Sequence, residues 1–134
     1  REAASIDAPF AEVLHRYVEG YAEETGLSAR IEIEGLGNEQ LPPRIAAELL
    51  RIAQEALTNV RKHADATMVT VKVEQTGREL QLSVRDNGVG FSGSARNSGF
   101  GLSSMRERAE IVGGHLLIDS EQTGGTKITA VVPV

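Results

Sequence analysis

Cysteine is absent from the chain, which removes disulfide frameworks and thiolate metal sites together and fits a reducing compartment. No apolar run reaches the roughly 20 residues that a membrane span needs, and the first residues do not read as a secretory leader. Positive charge is also short: 14 Lys and Arg stand against 19 Asp and Glu, a net charge of -5. The broad positive field that gathers nucleic acid or anionic lipid is therefore missing, and neither is expected as a partner. With 134 residues there is length for one domain with its own core and no room for a second. The chain opens on Arg1 rather than Met, so the expectation is a piece of a longer protein, soluble and cytoplasmic.

From Ile6 to Thr25 the apolar residues Phe10, Val13, Leu14, Tyr17, Val18 and Tyr21 recur three and four apart, the pattern of an amphipathic helix, and Gly26 ends it. Ala29, Ile31 and Ile33 alternate with charged neighbours as in a half-buried strand. Pro42-Pro43 opens a second helix, which Ile45, Leu49, Ile52, Ala53, Ala56 and Val60 carry to about Ala64. Two alternating stretches then flank Thr76-Gly77-Arg78 and predict an antiparallel hairpin ending at Asp86. Nine of the 14 glycines lie at or beyond Gly88, and there the chain changes character. A short helix from Leu102 to Val112 stops at Gly113-Gly114, and two closing strands flank Gly124-Gly125. This order predicts an α/β fold, a two-layer α/β sandwich with a mixed, largely antiparallel sheet and three main helices on one face.

Gly88-x-Gly90-x-x-Gly93 has the spacing of a dinucleotide-binding turn, but that turn needs a helix starting at its third glycine and an acid at the end of a second strand. "SARNS" follows Gly93, and Glu107 and Glu110 fall inside a predicted helix, so the dinucleotide reading fails. A P-loop fails as well, since Gly125-Thr126-Lys127 lacks its frame. What remains is Asp86 at a strand end, the turn Gly88-Val89-Gly90, and Gly99-Phe100-Gly101 directly before a helix. A buried carboxylate accepts strongly from the exocyclic amine of adenine, the glycines allow close backbone approach, and amides at the Leu102 helix start suit phosphates. Asp-Asn-Gly is equally good chemistry for a plain turn. Glu55, Asn59, Lys62 and His63, taken as one α-helix, form a polar stripe on the shoulder of its apolar face. A carboxylate and an amide oxygen one turn apart suit Mg²⁺, which completes its shell with waters and substrate phosphates. Taken alone, that stripe also fits an ordinary solvated flank.

In combination these segments resemble the ATP-binding catalytic domain of sensor histidine kinases, in the GHKL family. "QEALTNVRKHA" (54–64) is similar to the asparagine box, "DNGVGF" to the first glycine box, "GFGLSSMRERAEIVGG" to the second, and "GGTKITAVVP" to the closing strand. The wording of the first and third, with the short interval Phe91 to Ser98, resembles the nitrate-sensor type. The resemblance implies the Bergerat fold binding Mg-ATP under a lid. It implies that Asn59 holds Mg²⁺, that Glu55 supports the metal or polarises the attacking group, and that Lys62 and His63 meet phosphates. It further implies Asp86 on the adenine amine, Gly88, Gly90, Gly99 and Gly101 shaping the pocket and lid hinge, Leu102 among the ATP-binding residues, and Thr126 on the adenine or its water. Gyrase, mismatch-repair and Hsp90-type ATPases place an acid soon after the Asn, where this chain has Arg61-Lys62-His63.

The family's phosphoacceptor His, followed by an acid, has no counterpart: His15 precedes Arg16, His63 lies in the asparagine box, and His115 precedes Leu116 at the edge of the core. The expectation is a histidine-kinase catalytic domain, monomeric alone and unable to phosphorylate itself. It would pass the γ-phosphoryl to a His on the dimerisation hairpin of its parent and thence to a response-regulator Asp. An anti-sigma-type serine kinase or a nucleotide-sensing binding module of the same fold is the alternative.

Overall fold

The computed structural model describes residues 9–36, 41–89, 101–121 and 124–134. Helix α1, Phe10–Thr25, starts where Pro9 holds an extended conformation, and it turns Phe10, Leu14, Val18 and Tyr21 inward. Those four are spaced four, four and three apart, one stripe of a 3.6-residue helix. Gly26 closes it with φ 77°, donating its N–H to the Ala22 carbonyl, the left-handed ending that glycine adopts without strain. The expected start at Ile6 lies outside the described residues. Strand β1, Ser28–Glu34, follows.

Helix α2, Pro43–Asn59, begins with proline in its first turn, where no intrahelical N–H is needed, and buries Leu49, Ile52, Ala53, Ala56, Leu57 and Asn59. The sequence predicts one helix as far as Ala64. Instead the chain changes pitch after Asn59, and Val60–Ala64 is a π-helical turn closed by Asp65 in the left-handed region, φ 52°. An i→i+5 turn advances less per residue than an α-helix. Residues beyond Asn59 therefore leave the stripe that α-periodicity assigns to them.

Strands β2, Met68–Thr76, and β3, Glu79–Asp86, form the predicted hairpin, with Gly77 taking the positive φ (62°) that its tight turn requires. Helix α3, Leu102–Ile111, and the strands β4, His115–Glu121, and β5, Gly125–Pro133, complete the fold. The sheet runs β1-β2-β3-β5-β4. Among the described strands only β1 with β2 is parallel; β2 with β3, β3 with β5 and β4 with β5 are antiparallel.

Register explains the layering. Val69 lies opposite Asp86, Val71 opposite Val84, and Val84 opposite Ile128, so these side chains share one face. That face and the inner sides of α1, α2 and α3 make a single apolar core. The opposite face carries Glu32, Lys72, Gln81, Arg85 and Lys127, and it meets water. The ionic contacts there, such as Lys72 to Glu34 and Glu74 at 3.8 Å, are solvent-screened and add little. A half-buried pair, Arg108 with Glu48 at 3.0 Å, ties α3 to α2.

Burial of the core is what holds this two-layer arrangement. Leu49, fully buried on α2, is expected to cost about 2–5 kcal/mol when cut back to Ala, because transfer and cavity terms add. Urea unfolding followed by circular dichroism checks this: the midpoint falls with the slope preserved, whereas an unmoved midpoint contradicts the assigned core.

Candidate functional site

Strand β3 carries Leu80, Leu82 and Val84 to the core on alternate residues, and the next inward position is Asp86, only 6% exposed. An ionisable group placed where the pattern calls for an aliphatic one is costly. Burial pushes the Asp86 carboxyl up from its ordinary value, and the backbone N–H groups of Gly88 and Thr126 offset part of that. The Gly88 N–H donates to Asp86 Oδ1 at 2.7 Å, an Asx-type turn, so this segment serves as a turn as well. Asn87 is a clamp. Its Oδ1 accepts the N–H groups of Thr67 and Met68 at 3.0 Å each, and its Nδ2 donates to Thr67 Oγ1 at 3.0 Å, fastening the loop to the start of β2.

The glycine loop is fitted against the π-helical turn. Val89 donates its N–H to the Ala64 carbonyl at 2.8 Å, and a Cβ on Gly88 would fall 2.0 Å from that same oxygen. Only glycine fits there. Between these elements is a narrow cleft with apolar walls from Ala56, Val60, Ala64, Val84 and Ile128. Three buried polar side chains face it: Asn59 from the end of α2, Asp86 from β3 and Thr126 from β5. The Thr126 hydroxyl lies 2.9 Å from that of Ser120, joining β5 to β4. The portion of the cleft bounded by described residues has about 10 Å³ of water-accessible space, the floor of a site. A larger cleft of about 170 Å³ opens on the outer face of the sheet beside Arg85, Asp119 and Lys127. All three of those side chains are exposed.

Sequence reasoning put Glu55, Asn59, Lys62 and His63 on one stripe, and the structure divides them. Asn59 faces the cleft. Glu55 points to the start of α3: its Oε2 accepts from Ser104 Oγ at 3.3 Å, and its Oε1 is buried without a hydrogen-bond partner among the described residues. Gly101, at φ 66°, packs so closely that a Cβ would lie 2.8 Å from Glu55 Oε1. Lys62 and His63 stand exposed on the π-helical turn. Leu102 is buried at the first turn of α3. Gly90 and Gly99 lie outside the described residues, as does the interval Phe91 to Ser98. His15 is exposed on α1, 3.5 Å from Glu19. His115 is also exposed, on the outer face of β4; it does not border the core, because the strand pleat turns the following residue, Leu116, inward.

Ser104, Val84 and Ile128 were not singled out by the sequence reading. Val84 and Ile128 carry no signal beyond strand alternation. Ser104 meets Glu55 across 49 positions of chain. Among the described residues no group of three or more His, Asp or Glu could hold a metal ion by itself. Asn59 presents a hard amide oxygen in the cleft, and Glu55, turned toward α3, has one buried carboxylate oxygen without a partner among the described residues; hard donors of this kind suit an ion such as Mg²⁺ that draws its other ligands from water and phosphate.

Residues 45–134 match the family described as histidine kinase-, DNA gyrase B- and HSP90-like ATPase. The chain belongs to this family. All of it aligns at 36% identity with the signal transduction histidine-protein kinase/phosphatase DegS of Brevibacillus brevis, covering 35% of that protein. The sensor histidine kinase YxjM of Bacillus subtilis is 38% identical over 84% of the chain, which covers 27% of YxjM. The chain thus spans about a quarter to a third of the length of these relatives, and it is an ATP-binding domain of the sensor histidine kinase type. A blue-light activated histidine kinase domain from Erythrobacter litoralis has the same fold, with TM-score 0.79 at 19% identity, covering 97% of this chain and 67% of that one. The mycobacterial sensor kinase MprB superimposes with TM-score 0.69 at 21% identity, covering 94% and 95%.

The electrostatics of Asp86 carry a signed prediction for the ligand-free ATP-binding domain. Its folded pKa is raised above the ordinary 3.8, so its stabilising contribution is present in acid and is lost as pH rises through the raised value. At neutral pH the ionised group is a burden on the fold. Asp86→Asn, which can still accept the Gly88 N–H, is expected to match or exceed the parent Tm at pH 7. The gap should narrow as pH falls toward 4. Thermal scans at both values check this, and a variant clearly less stable at pH 7 contradicts it.

Proposed function

We propose that this domain binds Mg-ATP in the cleft between α2, β3 and β5 and passes the γ-phosphoryl to a His on a separate dimerisation domain of its parent kinase, from which it reaches a response-regulator Asp. The observation that carries the reading is Asp86: an ionisable side chain held in the core, lining an apolar cleft, is retained at a cost to stability. Such a carboxylate accepts the exocyclic amine of adenine, with Ala56, Val84 and Ile128 against the ring faces. Thr126 meets the base or a water bridging to it. Gly88 and Gly101 shape the rim, the Leu102 end of α3 faces the phosphates, and Lys62 and His63 contact phosphate oxygens from the π-helical turn; Gly90 and Gly99, outside the described residues, are assigned to ATP binding by the glycine boxes alone.

Asn59 would hold Mg²⁺, with Glu55 as its support or as the group that polarises the attacking imidazole. The ion, when bound, neutralises charge on the β- and γ-phosphates. In the transfer, the imidazole nitrogen bonds to the γ-phosphorus as the bond to the bridging oxygen breaks. ADP leaves with that electron pair, and the imidazole N–H proton passes to a nearby base or to water. Little covalent help is needed from the protein, so positioning and charge neutralisation supply the rate. We place the parent's catalytic region in the cytoplasm; in the domain itself, among the described residues, no helix is long and apolar enough to cross a membrane. The wording of the asparagine and second glycine boxes favours the nitrate-sensor type within the kinases.

Two measurements test this reading. Isothermal titration of Mg-ATP into the domain is expected to show saturable binding that Asp86→Asn abolishes; absence of binding by the folded parent domain rejects the nucleotide reading. An acceptor hairpin from a kinase of this type, mixed with the domain and [γ-³²P]ATP, is expected to gain acid-labile label. Acid-stable label would place phosphate on a hydroxyl and contradict histidine transfer. Repeating the assay with Glu55→Gln separates its roles: transfer at the parent rate removes the polarising role.

A further inference from the structure

We propose that Tyr21 is a positioning residue for the nucleotide phosphates, acting through the π-helical turn Val60–Ala64; this rests on the reading of Lys62 and His63 as phosphate contacts. Tyr21 lies on α1, remote in sequence from every residue of the cleft. Its ring is buried, and its hydroxyl donates to the carbonyl of Leu57 at 2.8 Å inside the protein. Leu57 is three residues ahead of the π-helical turn. At that junction the Val60 N–H is shared between the carbonyls of Ala56 and Leu57, and the Leu57 carbonyl accepts the Tyr21 hydroxyl as well.

A side chain that enters the ladder is one recognised cause of a departure from regular helix, and π turns are rare and gather at functional sites. Here the turn is held at both ends. Tyr21 fixes its start, and its last residue, Ala64, accepts the Val89 N–H at 2.8 Å from the glycine loop. Between these pins lie Arg61, Lys62 and His63. A regular α-helix through the same residues would return Lys62 and His63 to the Asn59 stripe, whereas the wider turn sets them on a different bearing from Asn59. The hydroxyl thus serves the direction of the cationic segment; phenylalanine would fill the same core volume without the bond. Burial pushes the phenol up to about 12, which keeps it a donor across the range in which a protein works.

The test is Tyr21→Phe in the 134-residue chain, titrated by NMR with Mg-ATP and separately with adenosine, alongside amide exchange. The expected result is ATP affinity lower by about three- to tenfold, the scale of one buried hydrogen bond. Adenosine affinity should be unchanged, and the amides of residues 61–65 should exchange faster. Unchanged ATP affinity in the folded variant overturns the proposal. So does an equal loss for both probes, which marks general loosening. If the variant does not fold, the unmodified domain still decides: amides of 61–65 protected before ATP is added support the proposal, and exchange at the rate of an open loop overturns it. ATP binding that survives Lys62→Ala with His63→Ala at full strength removes the phosphate assignment and this inference with it. Failure of the parent domain to bind ATP removes the functional reading as well.

Discussion

Asp86 is a carboxylate buried at the end of the central strand, and the elements around it are arranged to make that position tenable. Strand β3 delivers it to the inner face because the pleat offers no alternative: every second residue before it is core. Gly88 turns its amide back onto the carboxyl, which requires the loop to pass hard against Ala64. The start of β5 brings the Thr126 N–H to the same carboxyl. Remove the charge and these close approaches lose their purpose. Retain it, and the fold carries a cost that a donor-bearing ligand can offset.

The same tension recurs nearby. Among the described residues, Glu55 leaves one buried oxygen without a partner, and Arg108 keeps a buried Nε unpaired although its terminal nitrogen pairs with Glu48. Unsatisfied buried polar atoms are costly. Glu55 stands at the meeting of α2 and α3, beside the start of the helix that follows the second glycine pair. Elsewhere the chain obeys its patterns closely: β2 buries Val69, Val71 and Val73 in strict alternation, and α1 keeps a clean apolar stripe. Departures from local rules gathered in one region are what a functional site leaves in an otherwise consistent sequence.

Much of this was legible beforehand, for reasons that differ by element. Helix α1 and the β2–β3 hairpin announce themselves because each buries one face, so a period of 3.6 or 2 appears in the residues, and Gly26 and Gly77 mark their ends. Asp86 could be flagged because a charge at an inward strand position breaks that period. The parallel pairing of β1 with β2 was not legible, since alternation states which face is buried and not which neighbour runs alongside. The π-helical turn was missed for a tertiary reason. Residues 60–64 carry no local signal against an α-helix, and the pitch there accompanies contacts from Tyr21, 36 positions before Leu57, and from Val89, well after the turn. Ser104 was missed likewise, its partner lying on another helix.

The central claim is that the cleft between α2, β3 and β5 is where the nucleotide base is read. A crystal structure of the domain with Mg²⁺ and a non-hydrolysable ATP analogue tests it most directly. The account predicts the adenine amine within hydrogen-bonding distance of the Asp86 carboxylate, Thr126 on the base or on a water beside it, and the metal on the Asn59 amide oxygen. A nucleotide seated elsewhere, such as the outer cleft beside Arg85 and Lys127, or a base that leaves Asp86 without a donor, would contradict it.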